Sequence, residues 1–415
     1  MNAMLSRVWG GIFVLGAVSA LWRYVHGDLL IFAHLNAAML QAAHAAVEMM
    51  LTLTGMLCLW MGFFQIAERS GAMSVLARAL APLWRRLLPD VPEDHPALTA
   101  ISMNLAANML GLDNAATPWG LRAMQELQTL NGDGERASRA QIMFLMLNCN
   151  AWTLLPLSIF AYRAAAGASD PALVFLPIAC ASLLGFTSAI ILTMSIQRLR
   201  PDAFLLSLAG ALLVIAVLLA WAWRQHLLAA TWWQTAATFG DALLILFIVA
   251  ILLAAQRRKV EVYPAFLEGA RQGLETAWQL IPYVIGMWVA LAVFRASGLF
   301  DSLLSWVERG VHALGAPVSF VPALPVVLMK PFSGGGARVL LLETLHRLGV
   351  DSFPGRVAAV VQGSTETIFY VVTVYLGSVG IRREGYALAL GLLTEACGAV
   401  LAILVCYAVF PDHGS

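Results

Sequence analysis

Three short runs gather polar and ionisable groups inside an otherwise apolar sequence. The first, residues 104–118, reads Asn-Leu-Ala-Ala-Asn-Met-Leu-Gly-Leu-Asp-Asn-Ala-Ala-Thr-Pro and carries Asn104, Asn108, Asp113, Asn114 and Thr117. Asn104 and Asn108 are four apart and share a helix face, while the run from Asn114 to Pro118 reads as the capped start of a second half-helix. Such a start offers free N–H groups and a positive dipole end to a solute. The second run is Lys330-Pro-Phe-Ser333-Gly334-Gly335-Gly336-Ala-Arg338. Its glycines allow close backbone approach, so main-chain N–H groups can hold a ligand while Lys330 counters a carboxylate or phosphate. It lacks the Gly-x-x-x-x-Gly-Lys-Ser/Thr order of a nucleotide loop. In the third, Gln362, Ser364, Thr365, Glu366 and Thr367 interrupt an apolar stretch, as Asn148, Asn150 and Thr153 interrupt an earlier one.

Each run also has a plainer reading. The amides can staple helices together, and Lys330 can close a tight turn by pairing with Asp113 or Glu366. Glu366 is the strongest ionisable candidate, because charges at membrane depth mark pathways, proton sites or internal pairs. Glu48, Glu275 and Glu395 read as weaker, lying nearer the ends of their apolar runs.

The elements that position these groups are membrane helices. Of the 415 residues 60% are hydrophobic and 12% charged, with a net charge of +1. A soluble domain carries about 45–50% apolar and about 25% charged residues, so an aqueous globule, disorder and a nucleic-acid partner are all disfavoured. Nine stretches are long enough or nearly long enough to span, at 8–24, 42–66, 142–162, 173–196, 204–223, 242–256, 278–294, 357–376 and 386–410. A span needs about 20 mostly apolar residues, so the sixth must recruit residues from Trp232 onward. Two more stretches, 98–127 and 321–345, are broken by Gly111–Asn114 and by the glycine run. Neither half can span, so each is expected to turn back as a re-entrant hairpin.

Charge placement supports that reading. With the N-terminus cytoplasmic and both hairpins turning back, 15 of the 25 basic residues fall inside and 7 outside, and Arg122, Lys330 and Arg338 stay within the hairpins. This is the bias expected of a plasma-membrane protein, here with its C-terminus outside. The N-terminal run lacks a clear cleavage site for a secretory signal. The five cysteines form no CxxC pair and the eight histidines are scattered, so neither a disulfide framework nor a metal site is expected. His26 and His34 would lie about 12 Å apart along a helix, too far to share an ion. No Ser-His-Asp, zinc or nucleotide-hydrolysis set is visible, so the chain does not read as an enzyme and no cofactor is implied.

The parts recur. Glu48 and Glu275 are separated by the same interval as the pairs Ser70-Gly71 and Ser297-Gly298. After each Ser-Gly comes an amphipathic segment, at 71–88 and 298–314, then an interrupted stretch, a polar-centred span and a further span. The expected domains are an N-terminal helix at 1–30, a first repeat at 31–200, joining helices at 201–260 and a second repeat at 261–415. The five-span offset between the repeats makes them inverted, the architecture of many secondary transporters. The fold class is thus all-α and membrane-integral, with about nine spans and two re-entrant hairpins.

The run Asn108-Met-Leu-Gly-Leu-Asp-Asn-Ala-Ala-Thr-Pro-Trp-Gly-Leu-Arg-Ala-Met resembles spore maturation protein A. Likewise Leu328-Met-Lys-Pro-Phe-Ser-Gly-Gly-Gly-Ala-Arg, Val361-Gln-Gly-Ser-Thr-Glu-Thr-Ile-Phe-Tyr and Tyr375-Leu-Gly-Ser-Val-Gly-Ile are similar to spore maturation protein B. The chain therefore resembles a fusion of the two. That resemblance implies the Gate, or nucleoside-recognition, domain, a transport function and a homodimer or higher assembly. The base-reading residues of the nucleoside transporters have no residue-by-residue match here, and the GTPase portion of the iron transporters is absent.

Two functions follow as expectations. One is a secondary transporter of a small polar or anionic solute, coupled to a proton or sodium ion at Glu366 or Asp113. Its site would draw on Asn108, Asp113, Asn114, Asn148, Asn150, Lys330, Ser333, Gly334, Gly335, Gln362, Ser364, Thr365 and Glu366. The other is a membrane scaffold or regulator of envelope processes whose polar hairpins serve packing, with a passive channel as a third option. A scaffold predicts hairpin tips sealed by one another; a transporter predicts a polar cavity reached from one side.

Overall fold

The computed structural model describes residues 2–111, 113–199, 206, 210 and 230–410, and these are helical or lie in short turns and loops. Helix α1 (Asn2–Val25) ends at a turn around Gly27, and α2 (Ile31–Arg69) follows. His26 and His34 therefore flank a turn and do not share one helix. At the end of α2, Ser70 donates its hydroxyl to the Ala67 carbonyl, and Gly71 takes φ +73°. Only glycine adopts that conformation cheaply, so the chain breaks there and starts the amphipathic α3 (Ala72–Leu87), which continues through Pro82.

A first hairpin follows, α4 (Pro96–Met109) and α5 (Asp113–Thr129), reversed at Gly111 with φ +70°. Because Gly111 makes the reversal, α5 begins at Asp113 and Pro118 lies inside it; the capped start expected from Asn114 to Pro118 is instead part of the helix. The expected span 142–162 is broken into α6 (Arg139–Cys149) and α7 (Leu157–Ala165) by non-helical residues 150–156. Helix α8 (Phe175–Gln197) closes this half.

Helix α9 (Ala230–Arg257) does extend the short sixth span upstream. The fifth expected span, 204–223, lies outside the described residues apart from 206 and 210. The order of parts then repeats. Helix α10 (Val262–Ala296) ends at Ser297, whose hydroxyl donates to Phe294, and Gly298 takes φ +81° ahead of the amphipathic α11 (Leu299–Ala313). The second hairpin is α12 (Leu324–Met329) and α13 (Gly334–Leu348). The second broken helix is α14 (Phe353–Ser364) and α15 (Ile368–Ser378), interrupted at 365–367, and α16 (Ala387–Val409) ends the described chain.

Among the described residues five helical segments are long and apolar enough to cross a membrane: Ile31–Arg69, Pro171–Gln197, Val262–Ala296, Phe353–Ser378 and Ala387–Val409. These make the chain a multi-pass membrane protein.

Helices α2 and α10 form the longest packed pair, and glycines bring them together. A Cβ at Gly273 would lie 2.7 Å from the Leu57 carbonyl oxygen and 2.8 Å from the Cys58 backbone, and Gly269 abuts Met61 in the same way. Small residues let membrane helices approach this closely. The contact is backbone, which cannot step aside as a side-chain tip can. Gly273→Val is therefore expected to cost about 1–3 kcal/mol, read as a lower melting temperature in detergent, whereas Gly310→Ala, with open space around it, should change little.

Candidate functional site

The two helix breaks face the two hairpin tips. At residues 150–156 the backbone leaves the helical ladder, and the freed N–H groups of Leu154 and Leu155 donate to the Met109 carbonyl at 2.9 and 3.3 Å. In the second half Phe369 N–H donates to the Pro331 carbonyl at 3.2 Å. Leu155 and Phe369 are separated by the same interval as Asn148 and Gln362. Each break thus satisfies backbone groups that a membrane interior would leave costly, and each hairpin tip is held by a broken helix.

Between these parts lies a cavity of about 100 Å³ lined by Asn108, Lys330, Gly334, Arg338, Gln362 and Glu366, with Tyr162 and Ser158. Lys330 is 4% exposed and its ammonium donates to the Gln362 carbonyl at 3.1 Å. The Gln362 side-chain oxygen is buried with no hydrogen-bond partner. A buried acceptor left open is costly, and a donor entering the cavity would meet it. The Arg338 guanidinium lies 5.8 Å from the centre of the Tyr162 ring.

A second hollow, of about 190 Å³, shares Gly111, Ser158, Tyr162 and Arg338 with the first and continues to Gln65, Glu68 and Gln272. Arg338 and Tyr162 are the wall between them. Glu68 is exposed. The polar cavity thus adjoins a hollow reaching the protein surface near the C-terminal end of α2.

The remaining expected residues divide. Asn108 reaches the cavity while donating to Asn148 at 3.1 Å, and Asn148 donates to the Phe144 carbonyl. Asn150 donates to the Thr394 hydroxyl at 2.9 Å, and Asn104 to the Ala116 carbonyl and the Tyr375 hydroxyl. Asn104, Asn148 and Asn150 thus hold helices together, as the plainer reading expects, and none of these three lines the cavity. Ser333 is a helix cap: its hydroxyl accepts from Gly336 N–H at 3.0 Å and starts α13. At Gly334 a Cβ would sit 2.7 Å from the Thr367 hydroxyl, so this glycine permits the close approach of hairpin and break, whereas Gly335 faces open space. Thr365 donates to the Val361 carbonyl, and the Ser364 hydroxyl is buried with no partner. Asp113 and Asn114 open α5, and their side chains lie outside the described residues.

Glu395, expected near the end of its apolar run, is buried well inside it. It is 3% exposed and lies beside Thr365, Glu366 and Lys330. One of its carboxyl oxygens has no partner. The signal was present, because Glu395 is ninth in the apolar α16, about 12 Å from its start at 1.5 Å per residue and so well inside.

Loops brace the site at both ends. Arg163, fully buried, donates to the Val350, Asp170 and Pro171 carbonyls and to the Asp351 carboxylate at 2.8 Å. Reciprocally, Ala137 N–H donates to the Arg383 carbonyl, and Arg382 and Arg383 N–H groups donate to the Glu135 carbonyl.

The family model for the Gate domain, described as nucleoside recognition, matches residues 50–167 and 277–382, just over half of the chain. The chain belongs to the Gate family. Its Gate spans take in α3 to α7 and α11 to α15, which are the two copies of the repeated order, hairpins and broken helices included. Spore maturation protein B of Bacillus subtilis (strain 168) is 41% identical over 169 residues, covering 41% of this Gate chain and 93% of the relative. Spore maturation protein A of the same organism is 36% identical over 189 residues, 46% of this chain and 93% of the relative. No solved structure matches the chain. The resemblance read from the two hairpin motifs is thus borne out, and Glu395 falls outside both Gate spans.

Proposed function

We propose that this Gate protein is a secondary transporter of a small polar or anionic solute in the bacterial plasma membrane, N-terminus cytoplasmic and C-terminus outside. The observation that carries the reading is the open Gln362 oxygen beside the buried Lys330 ammonium, in a cavity that adjoins a hollow toward Glu68. Asn108, Gln362 and the N–H groups at Gly334 would bind the solute by hydrogen bonds, and Lys330 and Arg338 would counter its charge. The solute crosses unchanged. Pockets for drug-sized ligands run to about 300–1,000 Å³, so a cavity of about 100 Å³ takes something smaller than a nucleoside in this conformation.

The two copies of the repeat, inverted by the charge bias of their loops, would move the hairpins against the broken helices to open the other side. Glu366 and Glu395 would carry the coupling proton or sodium ion. Burying a carboxylate with one oxygen unpartnered is expensive unless it takes up a proton or a cation. A scaffold reading draws support from the stapled amides of Asn104, Asn148 and Asn150, but packing alone leaves the Gln362 side-chain oxygen without a purpose.

The test is exchange of small carboxylates and inorganic phosphate across proteoliposomes, with a proton gradient imposed. Wild type is expected to concentrate at least one of them, and Glu395→Gln to retain exchange while losing most of the gradient-driven accumulation. No flux of any solute in the panel, with Glu395→Gln matching wild type in thermal-shift binding, would overturn the reading.

A further inference from the structure

The tip of the second hairpin borders two cavities. Lys330 and Gly334 line the polar one, whereas Met329, Phe332 and Ser333 line a separate, larger one of about 420 Å³. Its remaining walls come from α1, α10, α11, α13 and α15, with Met287, Leu291, Phe300 and Leu340 buried around it. Among its described lining residues only Ser333 and Thr373 are polar, and the Ser333 hydroxyl is taken by the Gly336 N–H. The first repeat has an apolar hollow between the same parts, amphipathic helix, hairpin and break, but there, with Trp84 and Trp152 in its lining, it measures only about 60 Å³. The repeated fold therefore does not itself require so large a space.

Left empty, such a space forfeits the dispersion contacts of every side chain around it, and water finds too few polar partners to settle there. Apolar cavities of about 150 Å³ stay dry and take up benzene, and pockets for small ligands run to about 300–1,000 Å³. The opening is apolar as well, with Leu328 64% and Phe332 37% exposed. In a multi-pass membrane protein an opening of that kind admits hydrocarbon in preference to water. A helix with its side chains is about 10–12 Å across, too wide for a compact space of this volume, whereas a single acyl chain is thin enough to enter. At the Phe300 wall the Arg295 guanidinium lies over the ring, 3.9 Å from its centre. Arg295 and Arg347 share one carboxylate, Glu343, at 3.3 and 3.2 Å. The cluster thus carries one net positive charge beside an apolar hollow, the complement of an acidic headgroup on a hydrocarbon chain.

We infer that one acyl chain of an anionic bilayer lipid occupies this cavity, with the lipid phosphate drawn to the Arg295 and Arg347 cluster, and that it braces the second hairpin beside Lys330. The test uses the full-length protein in phosphatidylcholine nanodiscs doped with phosphatidylglycerol that carries a diazirine near the end of one acyl chain. Illumination should label Met287, Leu291 and Leu340, which are buried, as well as Val249 on α9, which is exposed and reports bulk lipid. Normalised to Val249, labelling of the buried three should be at least fivefold stronger than with phosphatidylcholine carrying the same diazirine. Leu328→Trp, at the opening, should cut that labelling at least fivefold with Val249 labelling and melting temperature unchanged. Arg347→Gln should bring the two lipids level at the buried positions. Label at Val249 but none at the buried positions, equal labelling by the two lipids in wild type, or full labelling in a folded Leu328→Trp would overturn the inference. Flux plays no part in these readouts, so they are independent of the proposed transport.

Discussion

Arg163→Met is expected to destabilise the protein by about 3–5 kcal/mol, the cost of breaking a buried ion pair by removing one partner. Arg163 is fully buried, and its guanidinium donates to three carbonyls and to Asp351, in segment 170–171 of the first half and segment 350–351 of the second. Methionine fills the apolar part of the volume and leaves those oxygens unmet. Asp351→Asn should cost much less, because Asp351 is 33% exposed and an amide still accepts from Ser169 and Arg163. Burial pushes the Asp351 carboxyl up, but hydrogen bonds from Ser169 and the Arg163 guanidinium outweigh it and hold it below the usual carboxylate range. A carboxyl lower in the folded state than in the unfolded one contributes stability above the unfolded value, about 3.9, and loses it as pH falls through the folded value. Wild type should therefore lose stability on acidification below about pH 4, and Arg163→Met should show less of that loss. Unfolding in detergent at pH 7 and pH 3.5 measures both. A variant as stable as wild type would mean that the buried guanidinium carries no net weight.

What the sequence disclosed about the fold followed from periodicity, length and charge. The repeated Ser-Gly pair is legible because only glycine turns cheaply through φ near +75°, and both copies form the same turn with the same serine hydroxyl bond. The hairpins are legible because neither half can cross a bilayer. The helix breaks at 150–156 and 365–367 were visible only as polar interruptions, since the bonds that hold them run to Met109 and Pro331, far away in sequence. The site was legible in part. Lys330, Gln362 and Glu366 converge on the cavity because three elements meet there, whereas Asn148, Asn150 and Ser333, equally polar, turn inward to a helix carbonyl, the Thr394 hydroxyl and the Gly336 N–H. Residue type announces a polar group at depth; only the tertiary partner decides whether it holds the protein or a ligand. Tyr162 and Ser158 gave no signal, being ordinary residues of a short helix that happens to form the cavity wall.

The same distinction makes Lys330→Met the sharpest functional test. The Lys330 ammonium is 4% exposed and held at the Gln362 carbonyl, an arrangement that taxes folding, since burying a charge is costly unless it is fully paired. If Lys330 served packing, methionine would leave the Gln362 carbonyl without its donor and the protein would melt lower. If Lys330 binds an anion, methionine removes that attraction while replacing a buried charge with an apolar side chain of similar length. The expected result is a fall of about 100-fold or more in exchange and in apparent affinity, equivalent to about 2.7 kcal/mol, with a melting temperature equal to or above that of wild type. Lys330→Arg should recover part of the affinity through its retained charge but little of the flux, because the planar fork cannot reproduce a compact ammonium in so small a space. Thermal-shift titration with carboxylates and phosphate separates the two outcomes. A shift lost together with stability assigns Lys330 to the scaffold, and a shift lost while stability is kept assigns it to the solute.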